Sequence, residues 1–380
     1  MQSKLSVLQV IPNLNVSGAE QGCIDIANHL SENNYNSYIL TSSGLKILDV
    51  EKNGTKVLIG PVHSKNPLII IRNIFLIANY INKYEIDIVH VRSRAPAWST
   101  FFASKIKRIK FVTTFHGTYN FGGTFKRLYN SIMLKTDGTI AISKFIYEHI
   151  KNNYKIKNKN IQTIVRGIDL NFFNPKIIST NDINTANEKY SLQKDSIKIL
   201  LPGRVTGWKG HFILIDAIYK LLEKHKLNLE VLFFGPDQNL GLKKKIERSI
   251  NSKGLGDIVK FYGSSSQMNL IYALSDIVIS ASTDPEAFGR VSIESQAMGK
   301  YIIASDHGGS IETVIQDKTG CLYNSRDSSE LAKKIYNVIK EKKYKSDWIS
   351  KQAIEHIKNN YGKNKMCEDT IAFYKKIIHS

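Results

Sequence analysis

Two carboxylates stand eight residues apart in the stretch PEAFGRVSIESQAMGK, at Glu286 and Glu294. A single helix would not put both on one face, because eight steps of about 100° leave the side chains about 80° apart. Gly289 between them predicts a loop carrying Glu286 that leads into a helix from Gly289 or Arg290. Glu294 would then lie one turn inside that helix, with Gly299 as its C-terminal cap. The free N–H groups at such a helix start suit an anion. Carboxylates that only accept hydrogen bonds suit the hydroxyls of a sugar and of a ribose. The same residues also read as an amphipathic helix with an exposed Glu294 after a loop.

Other chemistry-bearing residues follow short apolar runs. Arg204 and Lys209 lie in LPGRVTGWKG. An arginine fork and a lysine point charge beside glycines suit a diphosphate, or they are solvated cations near a turn. Gly18 lies in VSGAEQ, where a glycine lets backbone approach a phosphate or simply makes a turn. His116, in TFHGTY, is placed to contact a sugar hydroxyl or phosphate, to act as acid or base, or to sit hydrogen-bonded in a turn. No G-x-x-x-x-G-K-[ST] loop occurs, which counts against a nucleotide-hydrolysing motor. No H-x-x-x-H and no D-x-D occurs, so no metal site and no metal cofactor is expected.

The chain has 380 residues, comfortable for two domains, and 42% are apolar, enough for two cores. Its net charge is +20. Residues 1–175 hold 22 Lys and Arg against 10 Asp and Glu, and residues 176–380 hold 31 against 23, so the excess is densest in the first half, where SKIKRIK (Ser104–Lys110) adds to it. Such charge predicts an anionic partner or substrate, unless it reflects only a composition rich in Lys, Asn and Ile. Three distant cysteines, Cys23, Cys321 and Cys367, suggest no disulfide framework and a cytoplasmic location. No signal peptide is evident, and no apolar run reaches the ~18 residues that span a bilayer.

Positioning these residues requires strands that end beside them. Strand-like runs in the first half are LSVLQVI, NSYILTS, TKVLIG, IDIVHVRS, KFVTTFH, GTIAIS and IQTIV, and in the second IKILLPG, LEVLFFG, IVKFYG, DIVISAS and KYIIASD. Between them lie helix candidates Glu20–Leu30, Leu68–Asn82, Trp98–Lys107, Lys144–Asn152, His211–Lys224 and Leu242–Lys253. This alternation predicts an α/β chain of two Rossmann-like, doubly wound domains. The expected domains are 1–175 and 176–362, divided in FFNPKIISTNDINTANEKY, with a last helix, about 363–380, returning to the first. Ligands of open α/β sheets bind at the carboxyl ends of strands, where Arg204, His116, Glu286, His307 and Gly18 all fall.

Taken together, VSGAE, TTFHGTYNF, IAISKFI, IVRGIDLNFFNP, LPGRVTGWKG, FFGP, PEAFGRVSIESQAMGK and ASDHGGSIETV resemble the retaining glycosyltransferases of family 4, with Ser17 where a first glycine is usual. The resemblance covers nearly the whole chain and implies the GT-B fold, two Rossmann-like domains facing a central cleft. It implies that Arg204 and Lys209 hold the diphosphate of a UDP- or GDP-sugar and stabilise it as it leaves. Glu286, with the backbone at Phe288 and Gly289, would bind the donor sugar, Glu294 the ribose, and Gly18 would let a loop approach the phosphates. His116 would contact the donor sugar. The implied reaction is metal-independent hexosyl transfer to a glycolipid or glycan acceptor. VRSRAPAW (Val91–Trp98) together with TTFHGTYNF adds a resemblance to members linked to assembly of lipopolysaccharide or other surface polysaccharide. The basic first domain would then rest on an anionic membrane surface, at the inner face of the plasma membrane. Other readings of the same residues are an epimerase or phosphorylase on this scaffold, and a basic nucleic-acid-binding protein. The last lacks any reading helix, RNP motif or zinc finger, so no nucleic acid is expected.

Overall fold

The computed structural model describes residues 4–15, 17–119, 122–154, 160–237 and 240–380. The chain forms two compact units, one of Met1–Gly167 with Lys363–Ser380, the other Ile168–Gly362. The first division falls at Gly167 rather than Pro175. The Ile168 amide donates to the Tyr361 carbonyl at 2.9 Å, and Ile168 bridges Gly362, which ties residues 168–175 to the second unit.

The first unit is built on seven parallel strands: β1 Ser6–Val10, β2 Asn36–Thr41, β3 Lys56–Ile59, β4 Ile88–Val91, β5 Lys110–Phe115, β6 Gly138–Ala141 and β7 Ile161–Thr163. Their order is β3-β2-β1-β4-β5-β6-β7. The central strands are buried on both faces, which is why they read as continuous apolar runs rather than alternating ones. Strand order reverses between β1 and β4, so the carboxyl ends there form a topological switch point. Crossovers between parallel strands are right-handed, so the helices joining β1, β2 and β3 lie on one face and those leading on through β4, β5 and β6 on the other. The C-terminal helix Lys363–Ile378 joins the first face. Its Met366, Ile371, Phe373, Tyr374 and Ile377 pack with Ile26 and Leu30 of the helix Gly18–Glu32.

The second unit has six parallel strands: β8 Ile197–Pro202, β9 Leu229–Phe234, β10 Val259–Gly263, β11 Ile277–Ser280, β12 Tyr301–Ser305 and β13 Gly320–Tyr323. The order β10-β9-β8-β11-β12-β13 puts its switch point between β8 and β11. Helices His211–Lys224 and Ser328–Lys340 pack together, and their apolar residues share one core with β8, β9, β11 and β12.

Several elements differ from the sequence reading. One helix starts at Arg94, not Trp98, because Pro96 sits in its first turn, where no N–H is needed. β13 and the helix Thr124–Ser131 were not anticipated, since four- and eight-residue elements show little periodicity. Val16 of VSGAE, and Asn120 and Phe121 of TTFHGTYNF, lie outside the described residues.

A buried polar contact ties the last helix to the first sheet. Tyr374 Oη lies 2.5 Å from His90 Nδ1, and His90 Nε2 lies 2.7 Å from Thr114 Oγ1. Burial, with the Arg92 charge beside it, holds His90 well below its ordinary range, so the ring is neutral. Tyr374→Phe should therefore leave a buried ring nitrogen without a partner and lower unfolding stability by about 1–3 kcal/mol, read from urea titrations. An unchanged midpoint and slope would contradict this role.

Candidate functional site

In the second unit the predicted residues gather at the carboxyl ends of β8, β11 and β12. After β8 the chain turns through Gly203 and Arg204 to the WKG segment and the helix His211–Lys224. Gly210 has φ +78° and lies against the Ala281 carbonyl, where any Cβ would collide. The Thr283 amide donates to the Trp208 carbonyl at 2.7 Å. These contacts stitch the Lys209 turn to the end of β11.

Lys209 Nζ donates to Glu286 Oε1 at 2.7 Å, and Ser282 Oγ donates to the same oxygen at 2.5 Å. The pair is largely buried, with side-chain exposures of 14% and 9%. Burial alone pushes the Glu286 carboxyl up. The Lys209 charge and hydrogen bond, the Ser282 hydroxyl and the nearby His307 outweigh it, so the carboxyl titrates below its usual range. Glu286 is thus an ionised acceptor with lone pairs still available. Arg204 is exposed, and among the described residues its guanidinium has no hydrogen bond or ion pair. Lys209 also sits 4.5 Å from the centre of the Trp208 ring.

The helix Arg290–Ala297 starts after Gly289, which is left-handed at φ +89° and offers no side-chain cap. Its N-terminal turn is therefore not capped by a side chain of its own, as an anion site requires. Glu294 lies one turn in. Its Oε1 accepts from Arg290 Nε at 2.9 Å and Nη2 at 2.6 Å, and its Oε2 accepts from Tyr272 Oη at 2.9 Å. Burial first, then Glu294 and more weakly Glu286, push the Tyr272 hydroxyl far up, so both carboxylates bear on one phenol. The turn after β12 closes the site from below. The Gly309 amide donates to the Glu286 carbonyl at 2.8 Å. Gly308, at φ +62°, meets the Glu286 backbone, and Gly309 meets the Phe288 backbone, both too closely for a side chain. Phe288 is buried against Tyr361. Gly299 takes the capping position expected of it, at φ +67°.

In the first unit His116 follows β5, the strand next to β4 and so one strand from the switch point. Its Nε2 is buried with no hydrogen-bond partner among the described residues, and burial, with Arg166 and Arg92 adding positive charge, holds the ring well below its ordinary range. It is a neutral group, suited to a hydroxyl and ill suited to be a strong acid. Gly18 is the first residue of the helix Gly18–Glu32 rather than part of a loop. Ser17 is its N-cap, and Glu20 Oε2 accepts from the Ser17 amide at 2.5 Å in a capping box. The serine in place of a glycine is thus a helix signal. It occupies donors that a phosphate-binding loop would leave free.

The structure brings Lys209, Glu286, Phe288 and Gly289 together, with Arg204 and Glu294 flanking them. His116 and Gly18 belong to the other unit. Sequence reasoning missed Ser282, Tyr272 and Arg290. Arg290 was legible as the i,i+4 partner of Glu294. Tyr272 comes from a distant helix and left no local signal. Among the described residues, no group of three His, Cys, Asp or Glu could hold a metal ion. The three cysteines are free and buried, and burial pushes their thiols to about 11 or 12, so they are inert.

Residues 16–172 match the family described as Glycosyltransferase Family 4, and residues 182–355 match Glycosyl transferases group 1. A solved glycosyltransferase from Rickettsia africae is 36% identical, covers 99% of each chain and superposes with a TM-score of 0.90. The Anabaena protein HepE, solved in complex with UDP-glucose, is 22% identical over 97% of this chain and 99% of its own, with a TM-score of 0.83. WaaG, a glycosyltransferase involved in lipopolysaccharide biosynthesis, is 15% identical over 96% and 98%, with a TM-score of 0.75. The two last likenesses concern the fold, which is GT-B.

Two of the perturbed groups, Glu286 and His116, make stability fall with acid. Glu286 stays ionised below its ordinary 4.5, so its stabilisation is present above that value and is lost as pH falls through the lower folded one. His116 stays neutral when folded while the unfolded chain takes a proton below about 6.5, so stability also rises with pH in that window. His116→Gln should flatten the dependence of unfolding free energy on pH between about 5 and 6.5. A slope the same as in the parent protein would show that the ring is not held neutral.

Proposed function

Given that this chain belongs to the family 4 glycosyltransferases, we propose that it moves a hexose from a UDP- or GDP-sugar to a glycolipid or glycan acceptor, with retention of anomeric configuration and without a metal. The observation that carries this reading is the Lys209–Glu286 pair, with Arg204 on the same turn unpartnered among the described residues and a helix start that has no side-chain cap. A diphosphate satisfies all three needs at once. It takes Arg204 bidentately, shares the Lys209 charge and meets the positive end of the helix that follows Gly289. Freed from part of its lysine contact, Glu286 turns its lone pairs to sugar hydroxyls, and Glu294 has a remaining lone pair on Oε2 for a ribose hydroxyl.

In this mechanism the acceptor hydroxyl attacks the anomeric carbon on the face the diphosphate leaves. The new glycosidic C–O bond forms as the bond from C1 to the phosphate oxygen breaks, and that oxygen takes the acceptor's proton. Arg204, Lys209 and the helix start stabilise the charge that develops on the leaving diphosphate. No carboxylate nucleophile is needed, and Glu286, held ionised by a buried lysine and a serine, serves as a binding group. His116, as a neutral ring, would accept from or donate to a donor-sugar hydroxyl. The UDP-glucose complex of HepE supports the donor class, and the likeness to WaaG supports a place in lipopolysaccharide or other surface-glycan synthesis.

Thermal unfolding with UDP, GDP, ADP and their sugars, each with and without EDTA, tests the reading. One base should raise the melting temperature, EDTA should not reverse the shift, and Arg204→Ala should weaken binding by roughly 1.5–3 kcal/mol, about 10- to 100-fold. No shift with any nucleotide, with the variant and parent both folded, would refute it.

A further inference from the structure

The basic run SKIKRIK closes the helix Arg94–Lys107 and opens β5, and it has no part in the donor cluster. It lies at the amino ends of β5 and β6, the end of the sheet away from His116. From Lys110 to His116 the chain travels about 20 Å, at about 3.3 Å per residue. At this end Phe101, Phe111 and Leu134 supply the apolar lining of a cavity of about 1170 Å³. Lys105, Arg108 and Lys135 line the same cavity.

The acid that lines it, Asp137, is already engaged. Its Oδ2 accepts from the Phe111 amide at 3.0 Å, and its Oδ1 lies 3.8 Å from Lys110 Nζ. Lys110 also donates to the Ser380 carbonyl at 3.0 Å. Among the described residues, the side chains of Lys105, Arg108 and Lys135 make no hydrogen bond or ion pair. Two of them rest near rings instead: Lys105 Nζ is 5.8 Å from the centre of Phe101, and Lys135 Nζ is 5.9 Å from that of Trp98.

The helix dipole favours cations at a C-terminus and so accounts for Lys105. It does not explain why Lys135, on a separate segment after Ile132–Leu134, lines the same hollow. Nor does it explain the backbone of Arg108, which caps the helix in the left-handed region at φ +52° and ψ 38°. Glycine is the usual residue there, because a Cβ is strained in that conformation. The chain thus keeps a guanidinium where a glycine would relax the backbone. Like charges around a concavity focus a positive potential into it.

We infer that this cavity binds a soluble phosphate monoester that carries an aromatic ring. The phosphate meets Arg108, Lys105 and Lys135, and the ring meets Phe101, Phe111 and Leu134. Arginine takes two phosphate oxygens in its planar fork, and the lysines add point charges. A few polar groups converging on an apolar lining is the usual make-up of a small-molecule site. An inorganic anion would use the cations and leave the apolar lining in water, and a carboxylate would match fewer of the three charges. The inference does not depend on the donor site, whose Arg204 and Lys209 belong to the other unit.

Fluorescence titration of the full chain with 1-naphthyl phosphate tests it. The probe should bind saturably with a Kd below about 1 mM, and 1-naphthol and orthophosphate should each bind at least about tenfold more weakly. Arg108→Gly and Lys135→Ser should each weaken binding of the probe about tenfold. Glycine suits the left-handed backbone at 108, so the first variant loses the charge without straining the fold. Arg204→Ala, and Lys244→Ser with Lys245→Ser, remove charge from the second unit and should leave binding of the probe unchanged. Circular dichroism melts establish that each variant is folded. No saturable binding, or 1-naphthol binding as tightly as its phosphate, would overturn the inference. So would a loss in Arg204→Ala that Arg108→Gly does not share.

Discussion

The contact between Lys209 and Glu286, 77 residues apart in the chain and largely removed from water, sets the terms for everything around it. Removing an ion pair from water costs several kcal/mol per charge, repaid only when geometry is good and the remaining lone pairs find donors. Ser282 supplies one of those donors. The rest of the geometry comes from backbone. The turn after β8 must reach the end of β11, and the turn after β12 must press under Glu286. Gly210 and Gly308 allow both approaches, since their left-handed backbones and missing Cβ atoms admit main chain where a side chain would collide. Three strand ends are thus locked to one carboxylate, and the helix start after Gly289 is aimed by the same lock.

That lock also divides the labour between two acids that look alike in the sequence. Glu286 sits against a lysine and a hydroxyl on one oxygen, and among the described residues its other oxygen has no partner. Glu294 is held on both oxygens, by Arg290 and by Tyr272. One keeps hydrogen-bonding capacity to spare; the other is oriented on both sides and has less. The difference lies in neighbours contributed by β11, the helix Met268–Leu274 and the residue one turn before Glu294.

The first unit shows the opposite electrostatic design at its switch point. Arg92 and Arg166 are buried beside His90 and His116, and the positive field together with burial keeps both rings neutral. Gln9 Oε1 accepts two bonds from Arg92, at 3.1 and 2.7 Å, and so holds that guanidinium in place. Polar groups are therefore fixed at the carboxyl ends of β1, β4 and β5. On one flank of the same sheet, acid-free helices carry exposed cations such as Arg72, Lys105 and Lys126.

Much of this was legible in one dimension. Parallel strands buried on both faces betray themselves as short β-branched runs. Their carboxyl ends can be located to within a residue or two, so Arg204, Lys209, Glu286 and His116 could be named as strand-end residues. Gly289 before Arg290–Ala297 and Gly299 after it are local signals, because a helix end is decided by the dihedral preferences of a few neighbouring residues. The helix at Thr124–Ser131 was not legible, being too short to show a period. Nor was the role of Ser17, which looked like a lost glycine until its amide was seen bonded to Glu20. Sequence by itself determined the class of fold, the two-block organisation and the list of special residues, since those depend on spacing along the chain. Only the tertiary structure decided that Lys209 holds Glu286 rather than Glu294, that Tyr272 and Ser282 belong to the site, and that His116 is neutral. Those outcomes depend on which distant groups share a space shielded from water, and pairing and burial in that space, not order along the chain, set the energy of a charge.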